Sequence, residues 1–393
     1  MKSRRNQEIV DIYFISIGGY DMPYSRVRAY HFSEILRSLG WNTKVLSFQD
    51  HLAHRKDGNQ MLRLLDPMRL MLNLRAYSHL KMYRNTIFYI QKVHYHAAAP
   101  FLLSRFGRNR HILDYDDWDL DRSPLFQLFL LNYIWFGALS ARGVTRNVAR
   151  RALGCVAASK PLEKFLLEQN PNVLYLPTGV NTNRFRVKEG VSNRQVRFLW
   201  TGQIWGKVIF ENVSFLVECL KRTLAAGVDG KLIVVGRGKW LPRLKARIAS
   251  ELPGKNWEIK EWVQPDDMPA VIRECDVGLV PLIPDRRNRE WMMCKSPTKL
   301  FEYMACGIPS VATASGDAAI VLRHGTDGYL AGTVEEFSDA MILLAKDKER
   351  RLTMGRAARQ HVEANYSLNA LGTRLEGWVR EVTGDQKHRS KAR

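Results

Sequence analysis

The sequence predicts an α/β chain of two doubly wound, Rossmann-like domains facing a cleft, and three observations carry that prediction. Apolar, β-branched strand patterns alternate with helical periodicity along the chain, the order expected of parallel sheets. The rhythm runs through once, breaks near residues 177–192 and starts again. With 393 residues, 46% hydrophobic and 25% charged, the chain is long and apolar enough for two cores.

Residues 10–17 form an apolar and aromatic run that leads into Gly18 and Gly19. Helical spacing follows over 26–39 and stops at Gly40. A strand at 42–48 completes a βαβ unit, which favours a parallel sheet. Further strands are predicted at 86–94, 111–114, 154–157 and 173–176, with helical patterns between most of them. The second round places strands at 196–201, 231–235, 257–261, 277–281, 309–313 and 329–331. Its helices are predicted at 212–226, 241–252, 268–274 and 298–305. In such sheets ligands bind beyond the carboxyl ends of the strands, so a cleft between the two rounds is the expected site.

The net charge of +21 calls for an anionic partner: nucleic acid, anionic lipid or a phosphorylated substrate. No recognisable nucleic-acid module accompanies it, and the reading carries no nucleic-acid partner. Cys155, Cys219, Cys275, Cys294 and Cys306 are scattered and never spaced as C-x-x-C, which argues against a disulfide framework or a zinc site. A reducing, cytoplasmic location is expected, and the basic N-terminus lacks the apolar core of a signal peptide. The longest apolar stretch, 125–139, is interrupted by Gln127 and Asn132 and falls short of the roughly 20 residues that span a bilayer. Residues 61–84 alternate Leu, Met and Tyr with Arg63, Arg69, Arg75, Lys81 and Arg84. That pattern reads either as a segment lying on the inner face of an anionic membrane or as a helix packed on its own domain with a solvated basic face. The basic residues 384–393 read as a disordered tail.

The most informative stretch is 294–309: Cys294, Lys295, Ser296, Pro297, Thr298 and Lys299 lead into Leu300, Phe301, Glu302 and Tyr303, and Gly307, Ile308 and Pro309 close it. Pro297 is placed to start a helix, whose free N–H groups and positive dipole end suit a diphosphate. Lys295 and Lys299 add charge beside it. Glu302 lies one turn after Thr298, placed to accept hydrogen bonds from vicinal hydroxyls such as those of a ribose.

This stretch resembles the second half of the E-x7-E motif of retaining GT-B glycosyltransferases of family 4, in the variant SPxKLFEYMACGxP. Further elements fit in register: Pro177 to Asn181 with Phe185 resembles the linker element, and Thr201, Gly202 and Gln203 with Lys207 the phosphate element. Val234, Val235, Gly236, Arg237 and Gly238 resemble the VGxG loop, and Asp276 to Pro281 the DVxxxPS strand. The Gly18-Gly19 loop, with Ser25, Arg26, Val27 and Arg28, also fits.

The resemblance implies an acceptor-binding domain over 1–180 and a nucleotide-sugar-binding domain over 181–365, with a helix at 366–383 returning to the first domain. It implies a retaining transferase that moves a hexose-type sugar from a UDP- or GDP-linked donor to a glycan or lipid-linked acceptor, without a metal or other cofactor. Lys207 and Lys299 would neutralise the diphosphate and Glu302 would bind the ribose. Gly18, Gly19, Gly202, Gln203, Gly236, Arg237, Gly238, Trp262, Val263 and the run from Cys294 through Lys295, Ser296, Pro297 and Thr298 would surround the donor. Two positions depart from the pattern: Cys294 stands where the first Glu belongs, and Gln203 where an Arg is common.

In the first half, His96, and after it His94, matches a histidine placed near the reacting centre, at the end of a predicted strand. The alternative is a histidine hydrogen-bonded in the packing. The acidic loop with Asp116 and Asp117 is assigned to acceptor hydroxyls, and its other readings are helix caps or a metal site. Two rival functions remain, a nucleotide-sugar epimerase and a catalytically silent nucleotide-sugar-binding scaffold, the second prompted by Cys294.

Overall fold

A computed structural model describes residues 10–53, 66–118, 120, 129–187, 195–284 and 288–384. The predicted tail at 384–393 therefore lies outside the described residues beyond Gly384, as do 54–65 of the basic segment and Asp119 of the acidic loop. The chain divides into two compact units. The first holds the chain up to Thr178, Cys294–Ser296 and everything from Leu368 on, and the second holds Gly179–Met293 and Pro297–Ser367.

The first unit is built on a six-stranded sheet: β1 (Ile12–Ser16), β2 (Thr43–Ser47), β3 (Ile87–Gln91), β4 (Arg110–Tyr115), β5 (Cys155–Ala157) and β6 (Val173–Tyr175), in the order β2-β1-β3-β4-β5-β6. Every described pair is parallel. All five residues of β1 are buried, as a strand covered on both faces requires. On one face Tyr13, Ile15, Phe88, Ile90, Leu113 and Tyr115 share a core with Leu72, Ala76 and Leu80 of the Met68–Leu80 helix, Phe101 of Ala98–Phe106, Phe136 of Phe129–Phe136 and Val144 and Val148 of Ala141–Arg151. On the other, Ile12, Phe14 and Tyr89 pack with Phe32 and Leu36 and with Leu371, Leu375 and Val379 of the Leu368–Thr383 helix.

Two predicted elements come out differently. The helix expected over 26–39 opens with a wide π-turn, Arg26–His31, before the α-helix Phe32–Ser38, and that turn carries the fully buried Arg28. The strand expected over 86–94 stops at Gln91, because Lys92 adopts a φ of 67°, outside the extended region.

The second unit repeats the scheme with β7 (Val196–Gln203), β8 (Gly230–Arg237), β9 (Trp257–Lys260), β10 (Val277–Val280), β11 (Ser310–Thr313) and β12 (Gly328–Ala331), in the order β12-β11-β10-β7-β8-β9. Its strands are also parallel. Two parallel sheets thus stand where the sequence predicts them. The strand order reverses between β1 and β3 in one sheet and between β7 and β10 in the other, and at such switch points the connections diverge and leave a crevice beyond the strand ends.

Candidate functional site

The crevice of the second unit is opened by one side chain. β7 pairs with β8 along its whole length, to Gln203 opposite Arg237, yet it pairs with β10 only at Val277↔Phe198 and Gly278↔Leu199. Beyond that point the Tyr303 hydroxyl, wholly buried, accepts the Thr201 N–H at 3.1 Å and meets Thr201 Oγ1 at 3.2 Å. The ring needs Gly278, where a Cβ would lie 2.2 Å from a ring carbon. Tyr303 therefore replaces the neighbouring strand as partner of β7 and lets the two carboxyl ends part.

Tyr303 is carried by the Thr298–Ala305 helix, which begins after Pro297 with no side-chain cap. Leu300 and Phe301 N–H return to the Pro297 carbonyl, at 2.9 and 3.3 Å. On the first turn Lys299 Nζ lies 4.5 Å from the centroid of the Trp200 ring, a cation–π contact on a buried indole. A Cβ at Gly202 would meet that indole at 2.9 Å and Lys299 Nζ at 3.1 Å, so Trp200, Gly202 and Lys299 converge. Glu302, half-buried, follows one turn after Lys299. The far end of the helix is anchored: Arg359 donates to the carbonyls of Ala305 and Phe185, and to Thr182 O at 3.0 Å. The helix is thus clamped at its C-terminus and carries no side-chain cap at its N-terminus, where the positive end of its dipole lies.

The remaining expected donor residues of this unit fall around the same strand ends. Gly236 sits opposite Gly202 in register, and a Cβ there would be 1.9 Å from Gly202 O. Gly238, at φ +143°, would put a Cβ 2.4 Å from Ile204 O. The close approach of two strand ends thus accounts for both glycines. The Arg237 guanidinium stacks 3.7 Å from the Trp262 ring, and Val263 packs on the core beneath. Gln203 Oε1 accepts from Trp205 Nε1 at 3.1 Å. Lys207 opens the Lys207–Ala225 helix with its side chain 68% exposed and pairs with Glu211 at 3.3 Å. An exposed pair of that kind is worth under about 1 kcal/mol and holds Lys207 loosely.

Several expected residues belong to the first unit instead. Cys294 is buried in the first unit's core cluster, beside the apolar side chains rather than in a donor site. Lys295 Nζ is bound to Asp117, at 2.9 Å to Oδ2 and 3.1 Å to Oδ1. Burial works to raise the Asp117 pKa, but the charges of Lys295 and Lys92 outweigh it and hold the carboxyl below its usual range. Ser296 Oγ accepts the Thr178 N–H at 3.1 Å. These three residues tie their segment to the first unit, with Lys295 and Asp117 occupied by one another. Asp116 Oδ2 accepts from Gln91 Nε2 at 3.2 Å.

The two candidate histidines of the first unit are buried. His96 is wholly buried: the Tyr95–Ala97 turn rolls its ring onto Phe48, and its Nε2 lies 2.9 Å from Gln91 O. Burial, opposed only by that hydrogen bond, brings its pKa down to about 3. His94 is also buried, with its pKa well below the usual value because of desolvation and the neighbouring His96 and Arg69. The Gly18-Gly19 loop is braced internally: Ser16 and Ser47 donate to Gly18 O at 3.0 Å each, and Gly19 N–H donates to Gln49 Oε1 at 3.0 Å. A Cβ at Gly19 would lie 2.0 Å from Asp50 Oδ1, so this glycine too has a packing reason.

Sequence reasoning missed the largest polar feature of this unit. Arg28 Nε lies 2.8 and 2.7 Å from the two Asp114 oxygens, Arg28 NH1 donates to Leu176 O at 2.8 Å, and Tyr89 donates to Asp114 Oδ2 at 2.8 Å, all fully buried. Burial lifts the Asp114 pKa to about 6 against the pull of Arg28. The signal for it was an Arg in a helical pattern facing an Asp inside a strand, which no local spacing connects.

Residues 195–347 match a family model described as glycosyl transferases group 1. A GDP-mannose-dependent monoacylated alpha-(1-6)-phosphatidylinositol monomannoside mannosyltransferase of Corynebacterium glutamicum is 27% identical over 217 residues, 52% of this chain and 55% of that protein. An N-acetyl-alpha-D-glucosaminyl L-malate synthase of Bacillus anthracis is 34% identical over 91 residues, 23% of this chain and 24% of that protein. The match to the mannosyltransferase thus spans about half of that relative's length. Among solved structures, Anabaena Alr3699/HepE in complex with UDP and glucose superposes with a TM-score of 0.68 at 14% identity, covering 95% of this chain and 100% of that one. Sucrose-phosphate synthase from Thermosynechococcus elongatus superposes at 0.69 and 14%, covering 95% and 99%. The chain has the GT-B fold, and its second unit resembles glycosyl transferases of group 1.

Proposed function

We propose that the chain is a glycosyltransferase that moves a hexose-type sugar from a nucleotide-diphosphate sugar to an acceptor hydroxyl, with retention, in the synthesis of envelope or lipid-linked glycans. One observation carries the reading: Lys299, Gly202 and the uncapped start of the Thr298–Ala305 helix converge where Tyr303 parts β7 from β10. A diphosphate seated there meets the positive end of the helix dipole and the Lys299 ammonium, which absorb the charge of the departing nucleotide. Glu302, on the same helix, accepts from the ribose hydroxyls. The stack of Arg237 on Trp262 offers a flat face to the base. The retaining course, in which a departing phosphate oxygen takes the acceptor proton, comes with the family resemblance, as does the choice of a UDP- or GDP-linked donor without a metal. A relative named for GDP-mannose and a neighbour solved with UDP favour testing both bases. The acceptor, a glycan or lipid-linked saccharide, falls to the first unit.

Burial of Cys294 favours a second reading, a nucleotide-sugar-binding scaffold without turnover, because no carboxylate stands at that position. A thermal-shift screen against UDP, GDP, ADP and their sugars, followed by release of nucleotide with lipid-linked acceptors, separates the two. The enzyme reading predicts stabilisation by one nucleotide family, acceptor-dependent release, and loss of both in Glu302→Ala. Stabilisation without release under any acceptor leaves the scaffold, and no stabilisation by any nucleotide overturns both.

A further inference from the structure

Four of the helices on one face of the first unit's sheet carry a combination that a solvated surface does not need. Met68–Leu80, Ala98–Phe106, Phe129–Phe136 and Ala141–Arg151 contribute their inner faces to one core cluster on the same side of that sheet, and each packs beside the next. Their outer faces therefore form one layer. That layer exposes large apolar side chains: Leu70, Leu74 (59% exposed) and Tyr77 at helical spacing, Phe106 (75%), and Tyr133 (59%) with Ile134. Apolar residues scattered singly are ordinary, but a second apolar stripe on a helix whose inner stripe, Leu72, Ala76 and Leu80, is already buried marks a surface with a partner.

The charge of the layer selects the partner. These four helices contain Arg69, Arg75, Arg105, Arg142, Arg146, Arg150 and Arg151 and not one Asp or Glu; the Lys160–Leu167 helix, which packs on the same cluster through Leu162, Phe165 and Leu166, carries one carboxylate, Glu163, paired with Lys160. Arg75, Arg105, Arg150 and Arg151 are exposed, and only Arg69 is buried. A protein interface of this size normally mixes signs to fix register, whereas a bilayer with anionic headgroups asks only for apolar tips above and cations beside them. No described helix is long and apolar enough to cross a membrane, so the contact is one of docking. We infer that this four-helix face seats the protein on an anionic lipid surface, with Leu74, Phe106, Tyr133 and Ile134 entering the headgroup region and the arginines meeting lipid phosphates. The inference extends the lipid-linked acceptor class proposed above and is independent of how the donor is held.

The test is co-sedimentation of the full chain with vesicles of phosphatidylcholine alone and with about 30 mol% phosphatidylglycerol, at low and physiological salt. The expected result is binding to the anionic vesicles, weakened by salt, with little binding to neutral ones. Leu74→Ser with Ile134→Ser, and separately Arg105→Glu with Arg150→Glu, each reduce vesicle affinity roughly tenfold or more, while nucleotide binding and melting temperature stay as in the unaltered chain. If the apolar pair disturbs folding, the charge pair carries the test alone. Failure to pellet with anionic vesicles at low salt overturns the inference, as does equal binding by the charge-reversed chain. Concentration-dependent dimerisation or RNA binding that the same variants abolish, without vesicle binding, assigns the face to those partners and overturns it as well. Vesicle binding that persists when no nucleotide binds would contradict the donor reading and leave this one standing.

Discussion

His111 shows what burial does to a single titratable group in this fold. Its Nε2 lies 2.9 Å from Val148 O and its Nδ1 2.8 Å from Ser104 Oγ, so the neutral ring donates at one nitrogen and accepts at the other. Burial, opposed by the Val148 hydrogen bond, brings its pKa down to about 4. The unfolded chain, with an ordinary histidine near 6.5, binds the proton first. The stability this residue supports is complete above about pH 6.5 and is lost as pH falls from there toward about 4, at up to about 1.4 kcal/mol per pH unit. His96, brought to about 3, adds a second such slope over the same range. Urea unfolding of the chain at pH 7 and pH 5 is expected to show the lower midpoint at pH 5, and His111→Gln to reduce the difference. An equal difference in the variant would mean that other groups set the acid sensitivity. The sequence puts His96 in the stretch after β3, but which way its ring turns depends on Phe48, far away along the chain.

At the scale of elements, Tyr303 and Gly278 form one device distributed over a helix and a strand. The phenol both fills the space above Gly278 and satisfies the Thr201 N–H that β10 leaves unpaired. Removing the hydroxyl in Tyr303→Phe leaves a buried amide without its acceptor and is expected to cost about 1–3 kcal/mol. Gly278→Ala, whose Cβ has 2.2 Å to the ring, displaces the helix that carries Lys299 and Glu302 and is expected to lower nucleotide affinity more than Tyr303→Phe does. Denaturant unfolding and nucleotide titration of the two variants check this, and unchanged nucleotide affinity in Gly278→Ala would show that the crevice does not depend on the wedge. The sequence made the helix legible through Pro297 and the apolar spacing of Leu300, Phe301 and Met304. It made the strand legible through Val277, Leu279 and Val280. It did not make the wedge legible, because a glycine in a strand and a tyrosine in a helix have local explanations of their own.

For the whole molecule, the two parallel sheets were readable because each buried strand repeats an apolar, β-branched pattern and each helix an amphipathic one. The placement of Gly202, Gly236 and Lys299 was readable for a related reason: they stand at strand ends and a helix start, where local sequence sets geometry. What the sequence left hidden are pairings between distant segments, namely Lys295 with Asp117, Arg28 with Asp114, and Cys294 with the first unit's core. Of these, Lys295, Asp117 and Cys294 are residues expected from the sequence to meet ligands. In the proposed function the Thr298–Ala305 helix seats a diphosphate, with Lys299 held on Trp200 as its cation and Lys207 an exposed partner of Glu211. Calorimetric titration of the preferred nucleoside diphosphate into the unaltered chain, Lys299→Ala and Lys207→Ala tests that most directly. The predicted result is a loss of affinity of roughly tenfold or more in Lys299→Ala, a charged hydrogen bond being worth about 1.5–3 kcal/mol, and a smaller loss in Lys207→Ala. Full affinity in Lys299→Ala would contradict the account.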